Sequence, residues 1–146
     1  MKTIAIDFDG VIHKYSKWWQ DGSIYDEPVS WAIESIKHFM DKWYAVFIFS
    51  TRDPKQIKKW FYSRYWIECY SWDDPMNWMD FSYLDLPFDV KVINFWNNWF
   101  SKFWGKPNIL WITSKKLVAE IYIDDRAFRF EWNWEKSLKQ ITSLLK

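Results

Sequence analysis

Thr3-Ile4-Ala5-Ile6-Asp7-Phe8-Asp9-Gly10 is the stretch that decides the fold. An apolar run ends there in two aspartates one residue apart. In an extended backbone, side chains two apart point the same way, so Asp7 and Asp9 are expected on one side. Gly10 then permits a sharp turn. Carboxylates at the carboxyl end of a buried parallel strand stand where open α/β sheets take their ligands. Two like charges this close need a proton, a cation or both. A Mg²⁺ ion and a phosphate ester suit such a pair. The plainer alternative is a turn in which the aspartates bond local backbone N–H groups.

Outward from this strand, apolar runs alternate with helical patterns. Residues 2–7 read as a strand, and residues 11–27 as a polar, aromatic loop able to cover a site as a flap. Asp26-Glu27-Pro28 carries the signals of a helix start. Ala32, Ile36, Phe39, Met40 and Trp43 follow at helical spacing, with Trp31 and Trp43 placed on the apolar stripe. Residues 44–49 form a second strand. Asp53-Pro54 opens a second helix with Ile57, Trp60, Phe61 and Tyr65 on its apolar face. Short strands are expected at 109–112, 120–123 and 128–131, and a last helix at 135–145. Residues 73–108 hold an aspartate-rich stretch and an aromatic helix pattern at 90–104, and read either as a small insert or lid or as part of the core. The alternation predicts a single domain over 1–146. Its class is α/β: a three-layer sandwich on a mainly parallel, Rossmann-like sheet, capless or with a small cap.

Composition narrows the function classes. A chain of 146 residues with net charge +1 offers no global polyanion-binding surface. The lone Cys69 excludes an internal disulfide and a multi-cysteine zinc site, and is expected to be a small buried residue. No signal-peptide pattern and no membrane-spanning run is expected, and a cytoplasmic location fits. The 14 tryptophans against 3 glycines are out of proportion. They suggest either an aromatic surface that stacks bases or sugars, or a bias that fills core and half-buried positions with large rings. The second is the expectation.

Three strand ends carry groups suited to phosphate chemistry: Asp7-Phe8-Asp9-Gly10, Ser50-Thr51-Arg52 and Asp124-Asp125, with Lys115 and Lys116 just ahead of the last. In a parallel sheet these ends converge on one edge. The four elements, in this order, resemble the haloacid dehalogenase superfamily of phosphatases, over residues 7–125. The run Tyr122-Ile123-Asp124-Asp125-Arg126 is also similar to the phosphatase half of phage-type polynucleotide kinases, and to small phage and bacterial members of the superfamily.

The resemblance implies roles. Asp7 would be the nucleophile, forming an aspartyl-phosphate. Asp9 would be the general acid and then the base, held protonated early in the cycle, with its backbone carbonyl on the metal. Ser50 would bond the transferring phosphoryl oxygens, with Thr51 as its alternative. Lys116 would bridge nucleophile and phosphate, with Lys115 as the alternative. Gly10 is placed with the substrate-binding residues, and Arg52, near the same edge, could hold a second substrate phosphate or pair with local carboxylates. Asp7, Asp9, Asp124 and Asp125 would hold Mg²⁺. The implied activity is a Mg²⁺-dependent phosphomonoester hydrolase, its substrate a nucleotide or a nucleic-acid terminal phosphate.

Each element also has an ordinary explanation. Ser50 and Thr51 could cap the helix at Pro54, the lysines could be solvated, and Asp124 and Asp125 could cap a turn. Arg126 is expected to pair with the adjacent aspartates, and His13 to be structural. The rivals are a non-catalytic binding module with a Trp-rich surface for nucleic acid or protein, and a phosphotransferase using the same intermediate.

Overall fold

The computed structural model describes residues 2–73, 110–127 and 131–144. Among the described residues there are five strands, β1 (Thr3–Asp7), β2 (Ala45–Phe49), β3 (Cys69–Ser71), β4 (Leu110–Thr113) and β5 (Ile121–Ile123), and three helices, α1 (Ala32–Asp41), α2 (Pro54–Tyr65) and α3 (Trp134–Leu144). The strands form one sheet in the order β3-β4-β2-β1-β5, and every pairing is parallel. This is the expected α/β sandwich on a Rossmann-like sheet.

The period-2 pattern sorts the sheet's two faces. Ile4 and Ile6 of β1, Val46 and Ile48 of β2, and Leu110 and Ile112 of β4 belong to one core cluster. Ile33, Ile36 and Met40 of α1 cover it, together with Ile57, Trp60 and Phe61 of α2. Ala45, Phe47, Trp72 and Trp111 form a second cluster from the intervening strand positions. Phe8, just past β1, is fully buried in the first cluster and meets Trp60 edge-on at 5.5 Å. Cys69 is buried, as expected, and burial drives its thiol well above the ordinary range.

Strand order sets the site. From β1 the chain crosses to β2 on one side, while β5 adds on the other. The carboxyl ends of β1 and β5 therefore flank the point where the winding reverses, the crevice favoured for ligands in open α/β sheets. Ile6 pairs with Ile123, so Asp124 emerges level with Asp7.

Several expectations need correction. Helix α1 starts at Ala32, not at Pro28, because Asp26 and Pro28 are used elsewhere: the Asp26 carboxylate accepts bonds from Ser16, and Pro28 bridges His13. Trp31 and Trp43 do not lie on its apolar stripe. Both are exposed, with left-handed backbone, at the two ends of the helix. The short strand β3 was not expected. Asp53 does cap α2, accepting from the Lys55 N–H at 2.9 Å, so Ser50 and Thr51 do not serve as that cap. The expected insert at 73–108 (beyond Asp73), the helix at 90–104 and most of the strand at 128–131 lie outside the described residues.

Candidate functional site

Past Asp7 the chain turns at once. The Phe8 carbonyl accepts from the N–H groups of Ile12 and His13 at 3.0 and 2.8 Å, and the Gly10 N–H donates to the His13 carbonyl at 2.8 Å. This turn separates the two aspartates that an extended strand would have aligned. Asp7 faces the end of β5. Oxygens of Asp7, Asp124 and Asp125 all lie within 4.8 Å of one another. The Asp9 side chain is not in that group. It turns to His13 and Arg52, with Oδ1 2.9 Å from His13 Nδ1 and Oδ2 accepting from Arg52 Nε at 2.7 Å.

Gly10 is at the crossing. Its φ is +90°, and a Cβ there would come within 2.3 Å of Asp125 Oδ2. Only glycine admits both that backbone and so close a carboxylate.

Three carboxylates in one place strain the electrostatics. Burial raises the proton affinity of Asp7, the Phe8 N–H bond at 2.8 Å works against it, and the charges of Asp124, Asp125 and Asp9 add to it. The Asp7 carboxyl is pushed up to about 6. Burial first, and the neighbouring carboxylates after it, raise the proton affinity of Asp7, while the Asp9 oxygens meet His13 and Arg52.

A hard divalent cation fits this donor set. The cluster offers carboxylate oxygen alone, the ligand type of Mg²⁺ or Ca²⁺ rather than of zinc or copper, and its three carboxylates carry more negative charge than the one arginine beside them balances. Asp7, Asp124 and Asp125 would hold the ion.

The other expected residues divide. The Ser50 hydroxyl is buried and accepts from the Arg52 N–H at 3.2 Å, which leaves its own proton to donate. Thr51 is exposed. Arg52 is buried, and its charge is spent on Asp9 rather than offered to solvent. Neither lysine forms an ion pair with the cluster among the described residues. The Lys116 ammonium lies 5.0 Å from the Tyr122 ring centre. Burial would raise the Asp73 carboxyl, but hydrogen bonds from Ser114 and Thr113, with a smaller contribution from the charge of Lys115, bring it below the usual carboxylate range. Arg126 is the cation at the cluster, with its Nε 3.9 Å from Asp125 Oδ1, while its backbone N–H donates to Asp124 Oδ1 at 2.7 Å. That pairing was expected.

His13 has the structural setting expected of it. It is fully buried and touches Asp9 directly. Its position four residues beyond Asp9, inside the first turn after the strand, was the only signal in the sequence.

Compared with family models, with curated proteins and with solved structures, the chain matches none of them significantly.

Proposed function

We propose that the chain is a Mg²⁺-dependent phosphomonoester hydrolase that works through an aspartyl-phosphate on Asp7. One observation carries the proposal: Asp7, Asp124 and Asp125 converge within 4.8 Å at the reversal point of a parallel sheet. The order of the four motifs, similar to that of haloacid dehalogenase phosphatases, supports it.

When bound, the cation neutralises phosphate charge and so lets an anionic nucleophile approach an anionic ester. The residues do the rest. Asp124 and Asp125 would hold the cation beside Asp7, and its positive charge would offset their repulsion and favour the Asp7 carboxylate. The Asp7 carboxylate attacks phosphorus, the P–O bond to the alcohol breaks, and Asp9 gives the leaving oxygen its proton. Asp9 then takes a proton from water as that water releases phosphate from Asp7. The Ser50 hydroxyl is the hydrogen-bond donor proposed for the phosphoryl oxygens. Lys116 over Tyr122 leaves the bridging role of a lysine without support, and Arg126 is the cation proposed to balance the carboxylates.

The test is hydrolysis of an aryl phosphate with and without Mg²⁺, beside Asp7→Asn. Activity that needs Mg²⁺ and is lost in the variant is expected. Equal rates for both proteins would overturn the proposal. A panel of mononucleotides, 3′- and 5′-phosphorylated oligonucleotides and sugar phosphates then tests the proposed nucleotide or nucleic-acid end as substrate.

A further inference from the structure

Asp9 is held by two residues that lie deeper than itself. The Arg52 side chain is 2% exposed and gives Nε–H to Oδ2. His13 is 0% exposed, with Nδ1 facing Oδ1 at 2.9 Å. The other ring nitrogen, Nε2, is 3.0 Å from the backbone N–H of Asp26. A backbone N–H can only donate, so Nε2 is an acceptor and carries no proton. The imidazole is then neutral with its proton on Nδ1, and that proton points at Asp9. A buried guanidinium and a buried imidazole are expensive to desolvate, and an apolar pair would fill the same space at lower cost.

The same two residues anchor the loop at 14–27. Arg52 Nη1 donates to the carbonyl of Gly22 at 2.6 Å and reaches that of Ser23 at 3.4 Å. The Tyr15 ring centre is 5.6 Å from the guanidinium. Asp26, which fixes the His13 tautomer through its N–H, ties the loop base through bonds of 2.7 Å from the N–H and hydroxyl of Ser16. Loop and carboxylate therefore share their supports.

We propose that His13 and Arg52 are positioning residues for Asp9, so that the loop at 14–27 must be folded over them for Asp9 to hold its working orientation. This rests on Asp9 as the proton-transfer group of the proposed hydrolase. The test uses phosphate esters of graded leaving-group acidity with wild type, His13→Ala, His13→Asn and Arg52→Lys. Lysine keeps the charge of Arg52 but not the directed Nε–H, and asparagine restores a donor near the place of Nδ1. A leaving alcohol of high pKa depends most on a proton from Asp9. His13→Ala and Arg52→Lys should lower kcat roughly tenfold or more for alkyl phosphates and much less for nitrophenyl phosphate, with KM nearly unchanged. His13→Asn should recover much of the loss. A loss equal for all leaving groups would overturn the proposal. A second readout is independent of activity: the imidazole ¹⁵N shifts of His13 should report a protonated Nδ1 and a bare Nε2. The opposite tautomer would overturn the positioning role. A wild type inactive on every ester would refute the hydrolase reading instead.

A separate observation concerns the tryptophans. Among the described residues, six other than glycine have positive φ, and five of them are tryptophan: Trp18 (57°), Trp31 (69°), Trp43 (62°), Trp66 (57°) and Trp132 (59°). All five are exposed, from 61% at Trp43 to 92% at Trp132. The buried Trp60, Trp72 and Trp111 are not among the positive-φ residues. Trp43 and Trp66 end helices. At Trp43 the N–H bonds to the carbonyls of Met40 and, from Tyr44, Phe39 form the paired pattern that ordinarily requires glycine at that position. Left-handed backbone is costly for any residue with a Cβ, and a large exposed ring gains little burial in return.

We infer that these five are glycine positions, and that their codons are read as glycine where the protein is made, since genetic codes differ in assigning one triplet to tryptophan or to glycine. Peptide masses of the protein from its natural source should show glycine at 18, 31, 43, 66 and 132; tryptophan there would overturn the inference. A recombinant chain with all five changed (Trp18→Gly, Trp31→Gly, Trp43→Gly, Trp66→Gly, Trp132→Gly) should melt at a higher temperature than the tryptophan form. A lower melting temperature would contradict the assignment of glycine to these positions.

Discussion

Asp7 and Gly10 carry the sharpest consequences at the scale of single residues. The folded chain raises the Asp7 carboxyl from 3.8 to about 6, so the native state holds its proton more tightly than the unfolded state does. The stability this contributes is full below 3.8 and lost as pH rises through about 6. Without added cation, Asp7→Asn should therefore melt above wild type at pH 7.5, with the gap closing at pH 4.5, as thermal denaturation would show. A cation must displace that proton. Its calorimetric affinity for wild type should fall between pH 7.5 and pH 5, and proton release should accompany binding at the lower pH. Gly10→Ala meets both a φ of +90° and the Asp125 carboxylate at 2.3 Å. It should weaken cation binding at least about tenfold by displacing Asp125 and should destabilise the fold, in keeping with the ~1–2 kcal/mol cost of left-handed backbone. Unchanged cation affinity in that variant would contradict the close packing of the site.

Among the elements, β1 and its turn do most to build the site. The strand was legible because Ile4 and Ile6 alternate with positions on the other face, and because the run stops at Asp7. The turn was not. Asp7 and Asp9 two apart read as neighbours on one side, but the bonds from Ile12 and His13 to the Phe8 carbonyl rotate the chain between them. The direction Asp9 takes after that turn depends on Arg52, a partner that no local pattern encodes. Helix α2 was readable down to its cap, since Asp53-Pro54 specifies a start by local chemistry alone. Asp53→Ala removes the bond to the Lys55 N–H and should cost about 1 kcal/mol in denaturant unfolding. Helix α1 began four residues later than its signals suggested because the Asp26 carboxylate, free in principle to cap it, is engaged by Ser16.

For the whole molecule, the parallel sheet could be read from the alternation of strands and helices, and its carboxyl edge from the polar residues that end each strand. The strand order could not, and it is the order that puts Asp124 level with Asp7. Long-range pairing likewise hid the partners of Asp9: Arg52 is 43 residues away in sequence. The lysine expected at the nucleophile rested on the resemblance to the phosphatase superfamily, with Lys115 and Lys116 both open. Exposed on the connection from β4 to β5, Lys116 lies against Tyr122 instead. The proposed chemistry thus depends on a division of labour across the sheet edge, with Asp7 facing the β5 aspartates and Asp9 held by the loop and the end of β2. Trapping the covalent intermediate tests this most directly. Wild type would be mixed with an aryl phosphate and Mg²⁺, quenched with borohydride, and its peptides weighed. Reduction of an aspartyl-phosphate to homoserine at position 7, dependent on both substrate and cation, is the expected result. Ester hydrolysis that proceeds while residue 7 is recovered as unmodified aspartate would contradict the account.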